Sequence, residues 1–143
     1  MRFMILVKAN KDSEAGVLPD EKILTEMGKF NIQLEQAGVL LAGEGLQASS
    51  KVARVRFSRG TQTVTDGPFT EAKELIAGFW IWQVQSKAEA IEWVKRAPFG
   101  EGAEIEIRQV FEVEDFGPAL KPEFAVQEER VRAQAAAKAK KGG

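Results

Sequence analysis

The sequence predicts an α+β domain in which two helices pack on one face of an antiparallel sheet. Segments with strand character and with helical periodicity follow in the order strand, helix, strand, hairpin, strand, helix, strand. Two helices interspersed in this way fit one face of such a sheet. The 143 residues are enough for one core. We place that domain at residues 1–118 and a helical or flexible tail at residues 119–143.

The N-terminal segments predict a strand, a loop and a helix. The strand spans residues 3–8, and a polar loop follows at residues 10–16. Pro19 suits the first position of the helix, Asp20 suits its first turn, and Gly38 suits the position after its end. The apolar residues of the helix recur at helical spacing and form one stripe that we assign to the core: Ile23, Met27, Phe30 and Leu34.

A second strand, residues 39–42, leads into a glycine-rich segment. Glu44 lies there between Gly43 and Gly45 and is a candidate binding residue, because glycine lets a backbone approach a ligand closely. The alternative interpretation is a strand end with a bulge. The segment lacks the spacing of a phosphate-binding loop.

Residues 52–57 and 61–65 predict a β-hairpin, joined by a short turn that contains Gly60. The first strand alternates, with Arg54 and Arg56 on one face and apolar side chains on the other. Both arginines are candidate binding residues, because a guanidinium group can hold a carboxylate by two hydrogen bonds. The alternative interpretation is a solvated strand face.

The turn at Asp66-Gly67-Pro68 follows the hairpin. Asp66 is the candidate catalytic residue, a general base at the rim of the sheet. Phe69 and the tryptophans of the next strand would supply apolar walls, and desolvation by such walls suits a general base. The alternative interpretation is structural, with the Asp66 carboxylate accepting backbone N–H bonds in the turn.

The most apolar strand is predicted at residues 79–84, after a helical turn at residues 71–76 that Thr70 caps and Gly78 ends. Lys73, in that turn, is a candidate binding residue for an anion. The strand is apolar on both faces. Two of its residues are candidate pocket walls and share one face, opposite Phe79 and Ile81: Trp80 and Trp82.

The C-terminal part predicts a second helix and a last strand. Ser86 caps the helix, with Glu89 in a capping-box pattern, and Pro98 ends it. The last strand spans residues 104–110. Residues 122–143 are rich in Ala, Gln, Glu, Arg and Lys, which predicts a solvated helix outside the domain core.

The chain contains no histidine and no cysteine. A histidine base and a His- or Cys-ligated metal are therefore excluded within one chain, and we expect neither a metal nor another cofactor. The 20 basic and 21 acidic residues nearly cancel, so we expect no direct binding of nucleic acid. No long apolar run is present, so we expect no membrane association. Because the chain has no cysteine, we expect a cytoplasmic location.

Three predicted strands carry apolar residues on both faces, whereas the helices cover one face only. A monomer would then expose a large apolar patch, which soluble monomers rarely do. The pattern predicts a homodimer that packs sheet against sheet.

The segment Asp66-Gly67-Pro68-Phe69, followed by Glu71, Lys73 and Glu74, resembles the signature of the DGPF-domain proteins in the YCII-related family. Further blocks agree with the layout of that family in the same order: GEGL at 43–46, IAGFWIWQV at 76–84, AIEWVKRAP at 90–98 and EIEIRQVFE at 104–112.

The resemblance implies a ferredoxin-like domain that forms a dimeric α/β barrel, with a cleft near the signature. Members often accompany extracytoplasmic-function sigma factors, which implies a sigma-factor-related protein as a partner. Related proteins use a His-Asp pair. This chain has no histidine, and Gln47 stands where many relatives carry one. A histidine-dependent activity is therefore not implied here.

Two functional hypotheses follow. The first is a dimeric module that binds a small-molecule ligand or has a regulatory role, and the absence of histidine favours it. The alternative is a metal-independent isomerase or lyase that acts on a small acidic or carbonyl-bearing metabolite. Asp66 would then be the base, and Lys73, Arg54 or Arg56 would bind the anion.

Overall fold

The computed structural model describes residues 1–71 and 74–142. Two compact units divide the chain, Met1–Val110 and Phe111–Gly143, and the predicted boundary after residue 118 stays a prediction. The elements of the first unit are β1 (Arg2–Lys8), α1 (Lys11–Glu14), α2 (Glu21–Gln36), β2 (Leu40–Gly45), β3 (Ala53–Ser58), β4 (Thr61–Asp66), β5 (Ile76–Gln83), α3 (Lys87–Lys95) and β6 (Ile105–Gln109). The second unit contains a 3-10 segment, Val113–Ala119, and α4 (Pro122–Gly142).

The main sheet has the strand order β2-β5-β1-β6, and every pairing in it is antiparallel. With α2 between β1 and β2, and α3 between β5 and β6, this is the ferredoxin-like arrangement. The predicted fold class is therefore confirmed. Strands β3 and β4 form a separate two-stranded sheet between the halves of that pattern.

The core lies between one face of the main sheet and the helices α2 and α3. Phe30 of α2 is its centre, because its ring contacts Trp80, Trp82 and Trp93 edge-on, with ring centroids 5.8, 6.3 and 6.3 Å away. The predicted alternation of β5 is confirmed: Trp80 and Trp82 are buried, whereas Phe79 and Ile81, which alternate with them, are partly exposed.

The apolar stripe of α2 divides between core and solvent. Phe30 and Leu34 are buried as predicted, but Ile23 is 47% exposed. The helix begins after Asp20, whose Oδ1 accepts the Ile23 N–H at 2.8 Å, so Pro19 precedes the helix instead of occupying its first position. The N-terminal end of the stripe therefore remains available to a ligand.

Two further local predictions were wrong, the loop at residues 10–16 and Gly78 as the end of a helical turn. The loop predicted at residues 10–16 contains the short helix α1, because Asn10 and Ser13 cap each other by hydrogen bonds of 2.9 and 2.8 Å. The helical turn predicted at 71–76 lies partly outside the described residues. The Glu74 N–H donates to Glu71 O at 2.9 Å, as in a helical turn, but the turn ends earlier than predicted because Ile76 already belongs to β5. Gly78 lies inside that strand, opposite Val7 and Gly45, where pairing on both sides keeps it extended.

The predicted hairpin is confirmed as β3 and β4. Arg59 and Gly60 turn the chain with positive φ angles of 48° and 80°. Val55 opposes Val64 and Arg54 opposes Thr65, so the hairpin has an apolar face and a polar face. Every residue of both strands is exposed. Among the described residues, no helix is long and apolar enough to cross a membrane.

We expect Leu34→Ala to destabilise the protein by about 2–5 kcal/mol, because this side chain is fully buried and alanine would leave a cavity. Ile32→Ala on the same helix is the control. Its side chain is 56% exposed, and its substitution should change stability by about 0.5 kcal/mol or less. Urea unfolding of both variants measures the difference, and equal losses would contradict the assignment of Leu34 to the core.

Candidate functional site

An open cleft of about 1200 Å³ lies in the first unit, at one end of the main sheet. Its walls come from the N-terminal half of α2, the loop between α3 and β6, the start of α1, and the ends of β2 and β5. Ile23 and Met27 line it, which accounts for the incompletely buried stripe of α2. A volume of this size is sufficient for a small-molecule ligand.

Trp80 is the central aromatic side chain of the cleft. Its indole N–H donates to Asn31 Oδ1 at 2.9 Å, and its ring meets Phe99 edge-on at a centroid distance of 5.9 Å. Because Asn31 already satisfies the indole N–H, Trp80 offers a ligand its apolar ring and no free donor. Asn31 and Phe99 also line the cleft, and sequence analysis did not find either of them. Asn31 follows the stripe residue Met27 by four positions, which places it on the same helix face.

Gly43 permits this arrangement by leaving room for the indole. A Cβ atom on Gly43 would lie 2.5 Å from Trp80 Cδ1, which is closer than real contacts allow. The two residues oppose each other in the pairing of β2 with β5. The glycine-rich segment therefore serves first to accommodate a neighbouring tryptophan, and Glu44 beside it also lines the cleft. By strand alternation the Glu44 side chain shares the face of Phe79, away from Trp80.

The charged groups of the cleft are mainly acidic. Among the residues that the structure describes, two lysines, Lys8 and Lys11, line it, and Lys8 is paired with Glu106 at 3.6 Å. Without Glu44, whose side chain faces away from Trp80, the acidic residues still outnumber the lysines in the described part of the lining: Asp12, Glu101 and Glu104. The electrostatic potential of such a cleft favours neutral or cationic ligands over anions.

The structure does not bring the sequence-predicted site residues together. Trp80 and Glu44 line the cleft, whereas Trp82 is fully buried in the core. Arg54 and Arg56 share the polar face of the hairpin, and the guanidinium carbon of Arg54 lies 3.5 Å from the centroid of the Phe69 ring. In the described part of the chain, neither of these two arginines lines the cleft, and Phe69 does not line it either. Lys73 lies outside the described residues.

Asp66 ends β4 opposite Ala53, on the apolar face of the hairpin, so it does not share a face with Arg54 or Arg56. It is exposed and does not line the cleft, so the apolar walls predicted around it are not found in the described part of the chain. Its carboxylate also has no hydrogen-bond partner among residues 1–71 and 74–142. Its catalytic role stays a prediction.

The turn after Asp66 is held by backbone contacts. The Gly67 N–H donates to Val52 O at 2.8 Å, and the Phe69 N–H donates to Ser49 Oγ at 2.9 Å. A Cβ atom on Gly67 would lie 1.7 Å from Ser49 O, so only glycine fits this position. The motif therefore builds a close contact between two loops.

With this geometry described, comparison with known proteins gives a family. A model of the YCII-related domain matches residues 1–114. The chain belongs to the YCII-related family. This match confirms the predicted family.

An uncharacterized protein of Rhizobium meliloti (strain 1021) is similar to this chain, with 30% identity over 76 residues. The match covers 53% of this chain and 61% of that relative's length.

One solved structure is similar as well, the 5-chloro-2-hydroxyhydroquinone dehydrochlorinase of Burkholderia phenoliruptrix AC1100 in complex with 2,5-dihydroxybenzoquinone. The identity is 18%, the alignment covers 78% of this chain and 96% of that one, and the TM-score is 0.38. A similarity of this degree carries no argument about activity. The match of the family model shows the family, and the cleft is the feature of this chain that bears on a reaction or ligand.

We expect Gly43→Ala to destabilise the protein by about 1–3 kcal/mol, because the added methyl group overlaps the Trp80 indole. Gly45→Ala is a matched control on the same strand, since no atom lies within 4 Å of its added Cβ. The control should be neutral or slightly stabilising. Thermal unfolding compares the two variants, and equal melting temperatures would contradict the close packing of Gly43 on Trp80.

Proposed function

We propose that this protein binds a small planar molecule, neutral or cationic, in the cleft of its first unit. The observation that carries the proposal is the indole of Trp80, which lines an open cleft while its own N–H is already bonded to Asn31. Such a ring contributes apolar and π-face contacts, which suit a flat ligand.

The charged residues that line the cleft also indicate which ligand charge is favoured. Its excess of carboxylates opposes the binding of an anion and attracts a cation to the aromatic rings of Trp80 and Phe99. The ligand favoured here therefore differs from the acidic metabolite of the enzymatic hypothesis. That hypothesis also lacks support from the position of Asp66, which is exposed and outside the cleft lining.

Three ligands that each contain one aromatic ring but differ in charge test the proposal: neutral benzyl alcohol, cationic benzylamine and anionic benzoate. The protein has three tryptophans, so a nitrogen–proton NMR spectrum should show three indole signals. We expect benzyl alcohol and benzylamine at millimolar concentration to shift the Trp80 signal, because that indole borders the cleft. The Trp82 signal should move less, because Trp82 is fully buried and does not line the cleft.

Trp80→Phe assigns the signal and should weaken binding. Trp93→Phe is the control, since Trp93 packs in the core and does not line the cleft. A Trp80 signal that none of the three compounds moves would overturn the proposed site. Strongest binding by benzoate would overturn the charge preference and leave the site intact.

We also propose that the protein acts as a homodimer through the sheet face opposite α2 and α3. Met4 pairs with Ile81 and Leu6 pairs with Phe79, so these four side chains form one apolar patch on that face. Three of them, Met4, Phe79 and Ile81, are partly exposed. A second copy placed on the patch by a two-fold axis would remove this apolar surface from water.

Light scattering should give twice the chain mass of 15.8 kDa at micromolar concentration. Ile81→Lys should shift the equilibrium to monomer, because it places a charge in the apolar contact. Ile32→Lys makes the same chemical change on the exposed side of α2 and should leave the dimer intact. A monomeric wild type, or dissociation by both variants alike, would contradict this interface. The sigma-factor-related partner stays a prediction.

A further inference from the structure

Ser49 is a buried polar residue that connects three separate loops. It is 2% exposed, and its hydroxyl accepts the Phe69 N–H at 2.9 Å while it donates to Glu14 Oε1. This buried hydroxyl both donates and accepts a hydrogen bond. Removing it would leave the Phe69 N–H and Glu14 Oε1 without these hydrogen bonds.

Glu14 forms the second part of the connection. Its Oε2 accepts the Ser49 backbone N–H at 2.9 Å, and its Oε1 accepts the Ser49 hydroxyl, so one carboxylate holds one residue by two bonds. Glu14 is the last residue of α1, a helix of four residues, and Lys11 and Asp12 of that helix line the cleft. A helix this short is not stable by itself, so its position depends on contacts such as this one.

The turn at Gly67 forms the third part. Its backbone packs so closely on Ser49 O that a Cβ atom would lie 1.7 Å from that oxygen. The turn therefore determines the position of Ser49, and Ser49 determines the position of Glu14. This connection joins the sequence signature of the family to the edge of the cleft without any signature side chain entering the cleft.

We propose that Ser49 and Glu14 are positioning residues that hold the cleft edge at residues 10–12 in place against the turn at Gly67. The cleft is the site of the proposed function, but the connection itself can be tested without a ligand. The residues act through hydrogen bonds to each other and do not contact the ligand.

Hydrogen exchange followed by mass spectrometry is the first measurement. We expect Ser49→Ala to increase exchange of the peptide that spans residues 10–16 on the order of tenfold, with exchange in β1 and β5 unchanged. Ser50→Ala is the matched control, because Ser50 is the exposed neighbour of Ser49 in the short 3-10 turn Ser49–Lys51. Unchanged protection of residues 10–16 in Ser49→Ala, or an equal increase in Ser50→Ala, would overturn the proposal.

Glu14→Gln gives a second measurement that does not depend on the stability of Ser49→Ala. It should raise exchange in the same peptide, and the increase in the double variant should be smaller than the sum of the two single increases, because both changes weaken one connection. Additive increases would show two independent effects and overturn the proposal. Glu35→Gln, an exposed residue of α2, is its control.

Binding of benzyl alcohol is the third measurement. Measured well below the melting temperature of each variant, where the protein is folded, affinity should fall several-fold in Ser49→Ala and stay unchanged in Ser50→Ala. If no probe binds the wild type but the exchange results hold, the proposed function fails and the connection stands. If the probe binds Ser49→Ala and wild type equally, the positioning role fails and the proposed function stands.

Discussion

The packing of two indoles from β5 under α2 is the contact on which the rest of the first unit depends. Trp80 and Trp82 have ring centroids 5.4 Å apart, and both meet Phe30 edge-on. Strand β5 pairs with both β1 and β2, so the two indole rings limit the size of the side chains that the neighbouring strands can accommodate. Gly43 is the clearest consequence, since any side chain there would overlap Trp80.

The same packing creates the cleft. The indole of Trp80 is largely buried, yet its remaining surface borders open space between α2 and the loop after α3. A residue that belongs to the core and also lines a cleft has a fixed position, because the core holds it in one rotamer. Asn31 fixes the indole further by accepting its N–H. The cleft therefore has a preformed aromatic wall, and its charged groups lie on more exposed segments.

The signature segment around Gly67 contributes in a different way. Its glycine and backbone amides hold Ser49 against the turn, and the ring of Phe69 lies under the Arg54 guanidinium. These contacts join residues that are between 15 positions (Arg54 to Phe69) and 20 positions (Ser49 to Phe69) apart in sequence. A recurring motif of this type can be required for the shape of a site although its side chains lie outside the site.

The sequence by itself determined the fold class, the alternation of β5, the hairpin and the cap at Ser86, whose hydroxyl accepts the Glu89 N–H at 3.1 Å. Each of these follows from periodicity or from bonds between residues close in the chain. The sequence also pointed to Trp80 and Glu44, but it did not indicate Asn31, Phe99, Ser49 or Glu14 as parts of a site. Only the tertiary structure decided that Asp66 lies outside the cleft and that Glu14 reaches Ser49. Those outcomes depend on strand register and on loop-to-loop contacts, which no local pattern of residues specifies.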